Sequence, residues 1–384
     1  MDRRRFLSGM AACMGTIAAR GVLGRVAPTV HSAFDRATRL RCGVNLSHWH
    51  WLPQRGEKWF QRDGLISLDE LKRLAAVGAT HVRLPIEPAD YWHGGHDGSF
   101  LKDGYHAIRG AINKVLEAGL CVVVDCHPQK PEWMKVSEED GRAKMLEAFW
   151  SRFAEFGKTS PPALDPERVF LEIVNEPHGF KDPKVWAGAQ DKLVTLLRDR
   201  FPAHTIIATG DEWGSIDALL RLAPLHNDNI IYSFHFYDPH NFTHQGATWG
   251  FEPWRHMKGV PWPMTKESVE PIACAIEDKA ARDALRWSAK EPWDSKRVRE
   301  RIRQAAEWAS THNVPIYCGE FGVYAKFAPR SARLAWLRDV TAALDEFKIG
   351  RAMWDYMGGF ALAEGEAGKR ALDREVCGAI GMGK

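Results

Sequence analysis

Residues 169–177 read Val169-Phe170-Leu171-Glu172-Ile173-Val174-Asn175-Glu176-Pro177. A short apolar run stopped by a proline fits a strand buried on both faces, the kind found in parallel sheets covered by helices. The same kind of run recurs upstream at Leu40–Asn45, Ala79–Pro85 and Leu120–Cys126. It recurs downstream at Thr205–Thr209, Asn229–His235, Val314–Glu320 and Gly350–Trp354. Helical patterns separate these runs, over Ser67–Val77, Tyr105–Ala118, Gly141–Phe156, Pro183–Arg200 and Ser295–His312. Eight strands alternating with helices predict an α/β chain folded as a (β/α)8 TIM barrel, one domain over residues 34–384.

One connection departs from the repeat. After the sixth strand, the stretch from Tyr237 to Ser295 carries Trp249, Trp254, Trp262, Trp287 and Trp293. A structureless loop of that length is uncommon in a compact domain. The stretch is therefore expected to fold over the barrel mouth, with helix of its own over Ser268–Ser288. The chain holds 16 tryptophans. Each buried indole N–H needs a partner, so some of these rings are expected to face a ligand instead. Trp249, Trp254 and Trp262, near Asn241, His244 and Gln245, are expected to form one wall of a cleft.

Composition excludes several classes. Hydrophobic residues make up 45% and charged residues 26% of the chain, ordinary values for a globular protein. The net charge of +3 supplies no basic field for nucleic acid. The N-terminus, Met1-Asp2-Arg3-Arg4-Arg5-Phe6-Leu7-Ser8, is basic and leads into a weakly apolar stretch ending near Ala19. That pattern reads as an export leader over residues 1–33, and Arg3-Arg4-x-Phe6-Leu7 resembles a twin-arginine signal. A periplasmic or extracellular location follows, with no membrane association after export and a monomeric state. Of seven cysteines, Cys13 lies in the leader, and no CxxC pair exists. A Cys42–Cys377 bridge is conceivable from terminal proximity alone.

Barrel chemistry takes place where strands end and βα loops begin. The second strand brings Arg83 there, the third Asp125 and His127, and the fourth Asn175 and Glu176. The sixth brings His235 and Tyr237, the seventh Glu320, and the eighth Trp354 and Asp355. Glu176 and Glu320 stand on strands that face each other across a barrel. Two opposed carboxyls, one protonated and one ionised, are what cleavage of a glycosidic bond requires. Asp355 reads as a loop support. The His93–His96 loop has no third metal ligand at suitable spacing, and His48-Trp49-His50 matches a metal-binding His-x-His only superficially, since Glu176, Glu320 and Asn175 would then go unexplained.

The segments Gly43-Val44-Asn45-Leu46, Val82-Arg83-Leu84-Pro85, Asp125-Cys126-His127, Asn175-Glu176-Pro177, His235-Phe236-Tyr237, Gly319-Glu320-Phe321-Gly322 and Trp354-Asp355-Tyr356 together resemble glycoside hydrolase family 5. The resemblance implies a retaining glycoside hydrolase that cleaves internal β-glycosidic bonds of a polysaccharide by double displacement, without cofactor or metal. Glu176 would be the general acid/base and Glu320 the nucleophile. Asn175 would bind the sugar 2-hydroxyl, and Arg83 and Tyr237 would hold Glu320. His127 and His235 would bind sugar and orient the acid/base, and Trp354 would floor the subsite of the distorted sugar. The first expectation for substrate is β-1,4-glucan. Mannan, β-1,3-glucan and a bacterial exopolysaccharide are alternatives within the family. A non-catalytic sugar-binding barrel and a metal-dependent barrel hydrolase are the distant ones.

Overall fold

The computed structural model describes residues 33–52, 58–94, 98–136 and 143–383. The export leader, apart from Ala33, and His96 of the His-rich loop lie outside the described residues. Eight parallel strands close a barrel: β1 Cys42–Asn45, β2 His81–Ile86, β3 Cys121–Cys126, β4 Val169–Glu172, β5 Thr205–Thr209, β6 Ile230–Phe236, β7 Ile316–Phe321 and β8 Gly350–Met353. Each strand pairs with its sequence neighbours, and β1 closes on β8. The helices α1 Leu68–Ala76, α2 Lys102–Glu117, α3 Lys144–Lys158, α4 Pro183–Arg200 and α5 Ile216–Arg221 cover the first half of the ring. Within the long connection after β6 lie α6 Lys266–Ala275 and α7 Lys279–Ser288, followed by α8 Ser295–His312 and α9 Arg330–Glu346. Among the described residues, no helix is long and apolar enough to cross a membrane.

Several boundaries differ from the sequence reading, for identifiable reasons. The first strand begins at Cys42, because Thr38–Leu40 form a single 3-10 turn. The fourth leaves the ladder after Glu172. Its backbone runs on extended, with the Ile173 N–H donating to the Ile207 carbonyl and the Asn175 N–H to the Cys126 carbonyl. The expected helix over Ser268–Ser288 is two helices, since Ile276 turns extended and Asp278 caps a new start by accepting from the Ala281 N–H. Cys42 and Cys377 are both free thiols, and the Cys42 thiol donates to the Ile380 carbonyl instead.

The strands alternate between an outer core under the helices and an interior stack. Val123, Phe170, Ile207, Ile231, Tyr317 and Ala352 fill the interior near the floor. His81 joins them by a 2.8 Å hydrogen bond between Nε2 and the Tyr317 hydroxyl. Most tryptophans belong to the scaffold. The indole N–H groups of Trp49, Trp150, Trp186, Trp308 and Trp336 donate to the carbonyls of Arg62, Ile173, Thr209, Leu222 and Asp238. The indole partners are thus mostly backbone carbonyls at strand and loop ends. Trp213, Trp249 and Trp287 remain the exposed tryptophans among the described residues.

Candidate active site

The site is built on one buried cation. Arg83 follows His81 by one strand period, so its side chain rises inside the barrel above that floor. It is fully buried. Its Nε and Nη2 bind both oxygens of Glu172 at 2.6 and 2.9 Å. Nη1 donates to Glu320 Oε1 at 2.7 Å and to Asn45 Oδ1 at 2.9 Å. Nη2 also donates to Asn175 Oδ1 at 2.9 Å and lies 3.0 Å from Asp125 Oδ2. One guanidinium fork thus ties five residues from four other segments of the ring to one centre, a use of the fixed donor geometry that a lysine could not reproduce.

Glu320 reaches that centre through an irregularity. On β7, Tyr317 faces the interior, so simple alternation would place Gly319 inward and Glu320 outward. The register between β6 and β7 shifts between Phe234 and His235, and beyond the shift His235 pairs with Glu320. Such a bulge re-aims a side chain. Gly319 meets the spatial requirement, because a Cβ there would lie 2.7 Å from Ser233 Oγ and 3.1 Å from the His235 ring. Glu320 accepts from the Tyr237 hydroxyl at 2.8 Å on its second oxygen.

Glu176 stands above this layer. Its backbone has φ 44°, in the left-handed region that costs a non-glycine residue free energy and is concentrated at functional sites. One oxygen lies 2.8 Å from His235 Nδ1, and the same nitrogen is 3.6 Å from Glu320 Oε2. Facing atoms of Glu176, His235 and Glu320 all lie within 4.8 Å of one another. His127 Nδ1 is bonded to Asp125 Oδ2 at 2.7 Å, which leaves Nε2 as the ring atom open to a ligand. The His127 ring stacks on Trp354 at 5.6 Å, and Trp51 closes the group edge-on to Trp354 at 5.3 Å.

Electrostatics separate the two glutamates. Burial pushes both carboxyls up from the ordinary range. Glu320 has the Arg83 guanidinium on one oxygen and a hydroxyl donor on the other, both of which favour the anion. Glu176 has neither, and its direct partner is the ring of His235, which burial depresses to about 4 and so keeps neutral. Within the pair, the proton belongs on Glu176 and the charge on Glu320. Asp125, buried beside Arg83 and near Glu176, is pushed up to about 7. Burial likewise holds His127 neutral, at about 3.

Arg83, His127, Asn175, Glu176, His235, Tyr237, Glu320 and Trp354 therefore meet in one connected cluster. Sequence reasoning misses Glu172, although an ionisable residue one strand period after the interior Phe170 is a readable signal. Trp51, a weaker sequence candidate among the residues that follow the first strand, also belongs to the cluster. The expected wall is corrected in part. Gln245 is fully buried, accepting from the Val260 N–H and donating to the Phe242 and Val260 carbonyls. Trp262 is 8% exposed and donates to Asp339 on α9, so it fastens the insertion to the barrel rather than lining a cleft. Asn241 is occupied by Ala284, Ser288 and Trp254. His48 and His50 are engaged separately, by the Leu52 carbonyl and the Tyr91 hydroxyl. Asp355 accepts from Ser47 and supports its loop.

A parallel eight-stranded barrel with a carboxyl pair and sugar-scale aromatics at its C-terminal rim is the architecture of a barrel glycoside hydrolase. Residues 43–359 match the model of the cellulase family, glycosyl hydrolase family 5, and the chain belongs to that family. Endoglucanase 3 of Fibrobacter succinogenes is 27% identical over 361 residues, covering 90% of this chain and 53% of the relative. The chain thus spans about half the length of that protein. Endoglucanase C of Acetivibrio thermocellus is 26% identical over 322 residues, 82% of this chain and 91% of the relative. The crystal structure of endoglucanase Cel5A from Thermotoga maritima superposes with a TM-score of 0.72 at 26% identity, covering 91% of this chain and 99% of that one.

Proposed function

We propose that the protein is an exported, retaining endo-β-1,4-glucanase in which Glu176 is the general acid/base and Glu320 the nucleophile. The observation that carries this is the approach of Glu176 and Glu320, with facing oxygens within 4.8 Å across His235. Retaining enzymes hold the two carboxyls about 5–5.5 Å apart, whereas inverting enzymes leave about 6.5–9.5 Å for a water. In the first step, Glu176 gives its proton to the glycosidic oxygen while Glu320 attacks the anomeric carbon. The leaving sugar departs as an alcohol and a glycosyl ester forms on Glu320. In the second step, Glu176, now a carboxylate, takes a proton from water. That water attacks the same carbon and releases Glu320 as the anion. Asn175, with its oxygen held by Arg83, presents its amide N–H to the sugar 2-hydroxyl. Trp354, stacked on His127, offers the apolar floor.

The names of the related endoglucanases support a glucan, the similar structure of a hyperthermophilic endo-β-1,4-glucanase with substrate supports the 1,4 linkage, and structures of Thermotoga maritima Cel5A with mannotriose and with cellobiose make mannan the competitor to test. A panel of carboxymethylcellulose, mannan, laminarin and xylan decides the substrate, with highest kcat/KM expected on the first. Glu176→Gln and Glu320→Gln should each lower turnover by several orders of magnitude at unchanged melting temperature. Near-normal activity of either variant sinks the assignment of roles. Export rests on the Arg3-Arg4-x-Phe6-Leu7 leader. Replacing Arg3 and Arg4 together by lysine should retain the folded protein inside its host, because the pair is read by a receptor rather than as charge. Normal export of that variant would remove the twin-arginine reading.

A further inference from the structure

The insertion after β6 carries an open aromatic groove that the barrel mechanism does not use. It has a volume of about 610 Å³ and is lined by Asp238, His240, Phe251, Trp254, Trp287 and Trp293, among others. That volume lies within the range of about 300–1,000 Å³ in which small-molecule sites fall. Phe251, edge-on to Trp254 at 5.9 Å, is still 50% exposed and Trp287 is 70% exposed, which leaves two large rings open to solvent in one groove. The groove lies next to the site. Tyr237, whose hydroxyl donates to Glu320, has its ring 6.3 Å from that of His240, and His240 opens the groove.

Its walls are fixed in place. The His240 ring lies nearly parallel to Trp254, with an interplanar angle of 8°. The Trp254 indole N–H donates to Asn241 Oδ1 at 2.9 Å, and Asn241 Nδ2 in turn donates to Ala284 and Ser288 on α7, the helix that carries Trp287. Trp293 is pinned by paired backbone bonds to Met264 and covered by the Arg297 guanidinium at 4.1 Å. The aromatic rings share this lining with Asp238, Lys290 and Glu291. That is the pattern a β-linked sugar chain requires, because each pyranose offers C–H faces to rings and a rim of hydroxyls to polar groups.

We propose that this groove binds sugar units of the substrate chain distal to the scissile bond, with Trp287 and Phe251 as stacking platforms. The inference rests on the glucanase reading above, and it transfers the sugar-binding role from Trp262, which is buried, to Trp287. The test compares wild type, Trp287→Ala and Phe251→Ala on a β-1,4-linked hexaose and on a short aryl cellobioside, with melting temperatures recorded. Each variant should lower kcat/KM on the hexaose about tenfold more than on the aryl cellobioside, the factor that about 1.4 kcal/mol of lost contact produces. Equal losses on both substrates, or none, in a protein that cleaves both would overturn the groove and leave the glucanase reading standing. A wild-type protein that cleaves no glycan on the panel would end both.

Discussion

Arg83 and Tyr237 decide how Glu320 behaves. Each donates to a different carboxylate oxygen, so the anion is held in charge and in direction. A hydrogen bond to a charged group is worth about 1.5–3 kcal/mol. Tyr237→Phe should therefore lower kcat by about ten- to a hundredfold, since one oxygen of the proposed nucleophile loses its donor while the ring remains. It should also raise the acid limb of the pH–rate profile, because Glu320 without that donor takes up a proton more readily. Kinetics across pH would read both effects, and an unmoved acid limb would mean that the hydroxyl serves packing rather than the carboxylate. These residues are legible in the sequence because each stands at or near the end of an apolar strand, where a barrel collects its reactive groups. The orientation of Glu320 is not legible there, because a bulge has no residue-type signature strong enough to reverse an alternation.

At the scale of elements, the strands are legible because runs such as Leu120–Cys126 have no other stable use than a doubly covered sheet. The insertion is not. Whether Trp262 or Trp287 is buried depends on which helix passes over it, and the Trp262 bond to Asp339 joins positions far apart in the chain. Strand β2 offers a separate test of the barrel floor. His81 is fully buried against Tyr317, and burial lowers it to about 3. Its folded-state value lies below the unfolded one, so its contribution is present above the unfolded value near 6.5 and is lost as pH falls toward 3. His81→Gln removes that linkage. Urea unfolding should show the variant less stable than wild type at pH 8, with the gap closing by roughly 2–3 kcal/mol at pH 4.5. A gap that stays constant with pH would mean that the ring is hydrated and free to charge. Gly43 sets the same site from the other side, since a Cβ there would lie 2.4 Å from the His81 ring.

For the whole molecule, the barrel acts as a frame that brings side chains from distant segments to one guanidinium, and the proposed catalytic pair sits on that frame. Arg83 gathers Asn45, Asp125, Glu172, Asn175 and Glu320 into one layer. His235 then spans from Glu320 to Glu176 above it. On the proposed double displacement, the separation this produces commits the reaction to an ester on Glu320 and hence to retained configuration. Proton NMR of the first products from a β-linked oligosaccharide measures it directly. The β-anomer is expected to appear first and mutarotate later, and a 2-fluoro glycoside is expected to leave its sugar attached to the peptide containing Glu320. Initial release of the α-anomer, or a label on any other residue, would contradict it.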